Sequence, residues 1–366
     1  MNTLGNNYRI TSFGESHGRC VGVVVDGCPA GLPITGEFIQ KELDRRKPGQ
    51  NAVSTSRREE DQVEILSGLY KGYTTGAPIC MLVWNRDRDS SGYETRRWTP
   101  RPGHADYTAR IRYGGYNDYR GGGRFSGRLT AGYVMAGAVA KRLLTHTLGV
   151  EVLAHTSQVG EMKSPKVSVE EIRKHAESNP VRCGDPETAA RMEKAIKSVS
   201  QKGDSLGGVV ECAALNVPAG LGQPLFDTLE GDIAKALFAI PAVKAVEFGL
   251  GTVLSSMKGS EANDPFTMQN GVIRTMSNNF GGILGGLSNG MSITCRVSFK
   301  PTPSIGLEQY TVDIQKMEET SIRVDGRHDP CIVPRAVPVV EAMIAVVLTD
   351  HALQAGVIGQ VLGDIK

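Results

Sequence analysis

The segment GRLTAGYVMAGAVAKRLL, residues 127–144, is answered later in the chain by PRAVPVVEAMIAVVLTD, residues 334–350. Small and apolar residues fill nearly every position of the first, so a buried helix is expected from Arg128 to Leu148. Three further pairs flank this one in the same order. VDGCPAGLPI (25–34) is answered by LNVPAGLGQPL (215–225), each after a β-rich run. EILSGLYKGYTTGAPIC (64–80) is answered by GILGGLSNGMSITC (282–295). RPGHAD (101–106) is answered more loosely by GRHDPC (326–331). The offsets run from about 190 to 225 residues, far too long for a solenoid repeat. Length alone suggests roughly two domains. The ordered repeat instead predicts one pseudo-twofold body, with halves at roughly 1–150 and 205–366 and a peripheral helical insertion at 151–204. In that insertion Ser168–Glu171 is a capping box, and Asp185–Pro186 opens another helix that stops near Gly203.

The stretch ahead of the first repeat helix carries the chemistry. RPGHADYTARIRYGGYNDYRGGGRFSGRLTA (101–131) holds six arginines, no lysine, His104, Asp106, Asp118 and three consecutive glycines at 121–123. Arginine forks match carboxylates and phosphates. Glycines let backbone N–H groups approach an anion, and a histidine moves protons near neutral pH. The stretch therefore reads as a site for a multiply anionic small molecule, or as a glycine-rich surface loop with solvated arginines. GESHG (14–18) sets Glu15, Ser16 and His17 between glycines. KPTPSI (300–305) carries Lys300, Thr302 and Ser304 on a proline-fixed loop. Arg327, His328 and Asp329 form an exposed turn or part of a site. Arg45, Arg46 and Lys47 close a helix expected over Gly36–Arg46 behind a Thr35 cap, either as a dipole-matched end or as an anion contact. SRREED (56–61) reads as solvated, with Arg57 and Arg58 as weak ligand candidates, and Asn85–Trp98 as a polar mobile loop. His146, His155 and His175 lack acidic or glycine-rich company and read as structural or solvated.

The composition narrows the classes. Of 366 residues, 40% are hydrophobic and 22% charged, with a net charge of +2. That balance suits a globular chain and gives no general attraction to nucleic acid or membrane. Aromatics at 6% are too few for base-stacking platforms. Seven cysteines with no CxxC pair read as free thiols of a reducing cytoplasm. No signal pattern opens the chain and no run approaches eighteen apolar residues, so a cytoplasmic protein is expected. HExxH, an EF-hand loop and a Cys/His quartet are absent, so no metal is expected. GGGRFSG lacks the GK[ST] of a Walker loop, and no GxGxxG follows the first strand. GESHG is only superficially a GxSxG elbow, since it precedes the first strong strand.

Eight motifs in order carry a specific resemblance. GESHG (14–18), DRRKPG (44–49), RREEDQVEILSG (57–68), RPGHADYT (101–108), YRGGGRFSGRLTA (119–131), GGILGGLSNG (281–290), KPTPSI (300–305) and GRHDPCIVPRAVPVVEAM (326–343) resemble the motifs of chorismate synthases. The resemblance spans nearly the whole chain. It implies an α/β (α+β) fold, a βαβ sandwich of two pseudo-symmetric halves with helices packed on antiparallel sheets, within a single domain 1–366. It implies a lyase that eliminates phosphate from 5-enolpyruvylshikimate 3-phosphate by an anti-1,4 route to chorismate. Such enzymes require reduced FMN without net redox change, act on a small-molecule substrate and are usually homotetramers. NADPH or an external flavin reductase would serve only as a source of reducing equivalents.

Carried onto this chain, the resemblance makes His17 the proton donor to the leaving phosphate, His104 the group that protonates the reduced flavin, and Asp329 the base. It gives Arg46, Arg101, Arg128 and Arg327 to the substrate. It gives Arg124, Phe125, Ser126, Gly286, Lys300, Pro301, Thr302, Pro303, Ser304 and Arg327 to FMN, with Ser16 a secondary candidate. The chain departs from the family pattern at Ala52 and Val53, where a basic residue is usual, which weakens an NADP contact. It departs also at Phe125, which keeps its FMN assignment through a backbone contact, and at Pro241–Ala242, which is given no FMN role. The rival expectations are a noncatalytic phosphate- or RNA-binding protein and a flavin-free phosphate lyase.

Overall fold

The computed structural model describes residues 1–49, 60–86, 91–95, 97–324 and 328–363. Two antiparallel five-stranded sheets form the outer layers. In space the first runs Thr3–Leu4, Arg9–Gly14, Cys20–Asp26, Ile79–Trp84 and Glu64–Ile65. The second runs Met162–Lys163, Glu151–Val159, Gly208–Leu215, Ile293–Phe299 and Val243–Phe248. Apart from the short edge strands Thr3–Leu4 and Met162–Lys163, the order of strands is the same in both. Two consecutive strands lie side by side, the next in sequence forms the far edge, and the last inserts between.

Two of the four sequence pairs hold equivalent places in this plan. VDGCPAGLPI and LNVPAGLGQPL leave the second strand of their sheets, and residues 127–144 and 334–350 lie in the two long helices Thr130–Leu148 and Val333–Gln354. The expected boundary of the second half needs correction. Glu151–Val159 is not peripheral, since it pairs along its length with Gly208–Leu215 and takes the place that Arg9–Gly14 takes in the first sheet. The helices Val169–His175 and Pro186–Gln201 are inserted after it, with the Ser168 capping box and Asp185 cap in place.

The two long helices pack against each other between the sheets, and Gly36–Arg46 and Leu229–Phe238 flank them. Contact between the long helices is close: a Cβ added at Gly137 would stand 2.2 Å from the Cβ of Ala342. Strand Ile293–Phe299 alternates buried and half-buried, sending Ile293, Cys295, Val297 and Phe299 to the core. Full burial of side chains such as Leu143 and Met135 contributes about 1.5–3 kcal/mol each. The helix Val333–Gln354 is long and apolar enough to cross a membrane, but its apolar stretch is wholly buried within the fold. All seven cysteines are free thiols.

Inside the helix layer lies a charged cluster. The Glu341 carboxylate, 2% exposed, accepts from Arg45 at 2.6 and 3.0 Å, from Lys141 at 2.5 Å and from the Ala154 N–H at 3.0 Å. Burial alone would raise its pKa, but Arg45 and Lys141 outweigh burial and hold it at about 2, against an ordinary 4.5. A depressed folded pKa stabilises above the ordinary value, and that stability is lost as pH falls toward about 2. Glu341→Gln should cost about 3–5 kcal/mol at pH 7. Urea midpoints taken at a series of pH values should converge for the two proteins below pH 4.5. A gap that stays constant down to the acid transition would contradict this assignment.

Candidate active site

Strand Arg9–Gly14 ends in a turn, closed by the Gly18 N–H on the Glu15 carbonyl at 3.0 Å, that presents Ser16 and His17. Both are buried. Asn85, expected in a mobile loop, is buried too, and its amide donates to the carbonyls of Glu15 and Gly18, each at 3.0 Å. The His17 ring meets Tyr93 edge to face, with centroids 5.0 Å apart. Against this turn runs the triple glycine. Gly121 has φ +60, and a Cβ there would stand 2.1 Å from His17 Cδ2 and 2.9 Å from Ser16 Oγ. At Gly122, with φ +81, the added Cβ would stand 3.1 Å from both Cε1 and Nε2 of His104. Two successive glycines thus bring the backbone against both histidines, which no residue with a side chain could do without displacing them.

His104 is held by a carboxylate. Its Nδ1 is 2.6 Å from Asp106, whose two oxygens also take a fork from Arg101, each at 2.8 Å. Burial would raise the Asp106 pKa, but Arg101 and His104 outweigh it and hold the carboxyl far below the ordinary range. Arg101 Nη1 donates on to Ser304 Oγ at 2.9 Å, which ties the first-half loop to the second-half KPTPSI loop.

A second carboxylate gathers two more arginines. Asp61 is buried, not solvated as SRREED suggested. It accepts from Arg46 Nη1 at 2.8 Å and from Arg128 Nη1 in a short contact. Arg46 Nε and Nη2 donate to Thr130 Oγ1 at 3.1 Å and the Gly127 carbonyl at 3.0 Å, while Arg128 Nε donates to Asn85 Oδ1 at 2.9 Å. Burial pushes the Asp61 pKa up, and Arg46 and Arg128 more than reverse it. Asp329 pairs with Arg335, whose Nε caps the Arg46 carbonyl at 3.1 Å.

These groups converge on one cavity of about 570 Å³. His17, His104, Asp329, Arg46, Arg101 and Arg128 all line it, as do Phe125, Ser126, Lys300, Thr302, Pro303 and Ser304. Burial lowers the Lys300 pKa, with Lys244 adding to the effect. Thr302 Oγ1 is buried with no hydrogen-bond partner among the described residues. Apolar wall comes from Ile240, Val243, Ile332, Ala336 and Val339.

Not every expected residue arrives there. Arg124 lines the cavity, but its guanidinium donates to the Gly14 and Ser12 carbonyls and to Asn2 Oδ1, at 2.9, 3.2 and 2.8 Å. That fork anchors the glycine loop to strand Arg9–Gly14. Pro301 and Gly286 are not among the lining residues; the Gly286 carbonyl accepts from Leu229, at the start of the helix Leu229–Phe238. Arg327, Arg57 and Arg58, and the departures Ala52 and Val53, lie outside the described residues. The sequence reading missed Asp61, Asn85, Tyr93, Lys244 and Arg335 as parts of the site, and named Asp106 without giving it a role. It also set aside Pro241–Ala242, which lines the cavity. For Asp106 a signal was present, since it stands two residues from His104 in a stretch already singled out.

Comparison with known proteins gives the family. The chorismate synthase family profile matches residues 8–353. The chorismate synthase of Dehalococcoides mccartyi strain BAV1 is 56% identical over 361 residues, 99% of each chain. That of Methanosarcina mazei is 55% identical, covering 98% of this chain and 97% of its own. A crystal structure of a chorismate synthase superposes with a TM-score of 0.75 at 32% identity, covering 96% of this chain and 93% of that one. With a family match over nearly its whole length and relatives above half identity throughout, the chain belongs to the chorismate synthase family.

Proposed function

We propose that the cavity eliminates phosphate from 5-enolpyruvylshikimate 3-phosphate, by the anti-1,4 route, with reduced FMN bound alongside the substrate. Family membership makes the chain a carbon–oxygen lyase of the shikimate pathway that acts on a phosphate. The observation that carries the cavity assignment is the convergence of His17, His104, Asp329, Arg46, Arg101 and Arg128 on one 570 Å³ space. The substrate has a phosphate and two carboxylates, and buried arginine forks match such groups in shape and charge. His17, buried beside Gly121, gives its proton to the leaving phosphate. His104, oriented by Asp106, holds a proton toward the cofactor, and an Asp329 oxygen accepts one.

The residues present fit FMN. The volume suits small-molecule ligands, the apolar wall suits a flat ring, and Thr302 and Lys300 offer a hydroxyl and a cation to a polar tail. Phe125, Ser126, Pro303 and Ser304 complete that side. Held by these residues, reduced FMN would supply electron density for the elimination without net redox change. NADPH or an external reductase would prime the cofactor without being consumed in each turnover, and the working assembly is a homotetramer. The phosphate- or RNA-binding alternative is disfavoured, because Arg46 and Arg128 are buried in a cavity and do not form an open basic face.

Arg128→Ala should weaken substrate binding by about ten- to a hundredfold, the worth of one charge-assisted contact. Lysine at that position should restore binding only in part, because the fork is lost. Titration of the FMN-loaded protein with substrate, followed by the flavin spectrum, measures both. Wild-type affinity in Arg128→Ala would remove this arginine from the anion site.

A further inference from the structure

Two buried carboxylates in this fold each hold two cations. Glu341 holds Arg45 and Lys141, neither of which lines the cavity. Asp61 holds Arg46 and Arg128, both of which do. We propose that Asp61 is a positioning residue for the reaction: it fixes the forks of Arg46 and Arg128 as a pair facing the substrate's anionic groups. The inference rests on the reading of the cavity given above.

Arg46 and Arg128 reach Asp61 from different elements. Arg46 is the last residue of the helix Gly36–Arg46, and Arg128 stands in the short turn before the helix Thr130–Leu148. Two guanidinium groups buried together would repel and drift apart without a shared counter-charge. Asp61 takes one Nη from each on separate oxygens. Each arginine's Nε is fixed elsewhere, on Thr130 and Asn85, so each plane is set by two anchors. The carboxylate is therefore placed to preorganise the anion site before substrate arrives.

Asp61→Asn separates orientation from simple charge, because the two act in opposite directions. Removing a negative charge should strengthen anion binding if Asp61 is only a counter-charge. Losing the shared anchor should weaken it if Asp61 orients the forks. We expect the substrate dissociation constant to rise about tenfold or more, with kcat at saturation changing by less than about threefold. Inorganic phosphate should raise the melting temperature of the wild type and of Glu341→Gln but not of Asp61→Asn, with both variants less stable than the wild type. Should Asp61→Asn not fold, Arg46→Met is compared with Arg46→Met/Asp61→Asn, where the double variant should bind phosphate about tenfold more weakly than the single. Equal or tighter binding in the Asp61 variant overturns the proposal while leaving the elimination reading intact. An inactive wild type would defeat that reading, and the phosphate-dependent melting shift would still decide the role of Asp61.

Discussion

His17→Ala and His104→Ala should both fold and should each lose about 10²–10⁴-fold of the elimination rate, the range for general acid–base groups. They should do so differently. His17 is buried beside Ser16 and Gly121, and its loss should remove the proton proposed for the departing phosphate. A substrate whose leaving group needs less protonation should narrow the gap for His17→Ala alone. His104 lies beside Gly122, held by Asp106. His104→Ala should therefore alter the pH dependence of the spectrum of bound reduced FMN, which His17→Ala should leave unchanged. Rates like those of the wild type in both variants would return the two histidines to a structural role.

Gly121→Ala should be nearly as damaging as deleting His17, though it removes no functional group. The new methyl would stand 2.1 Å from His17 Cδ2 and 2.5 Å from Nε2, and φ +60 is itself strained for alanine. The ring or the loop must move, and a displacement of about 1 Å at a reacting group costs on the order of 10²-fold in rate. Gly259→Ala is the control, since nothing lies within 4 Å of its added Cβ and its φ is not positive. Steady-state rates with circular dichroism check both. Full activity in Gly121→Ala would mean that the His17 position beside the glycine run is not the reacting one.

The fold was legible where periodicity is local. Residues 127–144 read as a buried helix and form one, and Thr35 caps the helix Gly36–Arg46 as its spacing requires. Strand Glu151–Val159 was missed because His155, Thr156 and Ser157 interrupt its apolar alternation. His155 and Thr156 are buried, and burial keeps the His155 ring neutral by pushing its pKa down to about 4. His155 does not line the cavity, and its Nδ1 accepts from the Gly184 N–H at 3.3 Å.

At the site, residue types announced themselves but their partners did not. A carboxylate in SRREED reads as solvated until arginines from positions 46 and 128 reach it through the fold. Arg124 looked like a ligand fork within a glycine loop, yet three backbone and side-chain oxygens near the first strands use it. Arg335 stands in the first turn of an apolar helix, and only the return of the 328–332 segment brings Asp329 to it. The Asp61–Arg128 and Arg124 contacts are long-range and local spacing does not encode them, whereas Arg335 and Asp329 meet across a turn of six residues.

The most direct test of the elimination account is an anaerobic single turnover with substrate and excess enzyme, following flavin absorbance and phosphate release together. With reduced FMN, phosphate should appear in one turnover and the flavin should end fully reduced. With oxidised FMN, or without flavin, no phosphate should appear. Phosphate released without reduced flavin, or flavin left oxidised in proportion to product, would contradict the account.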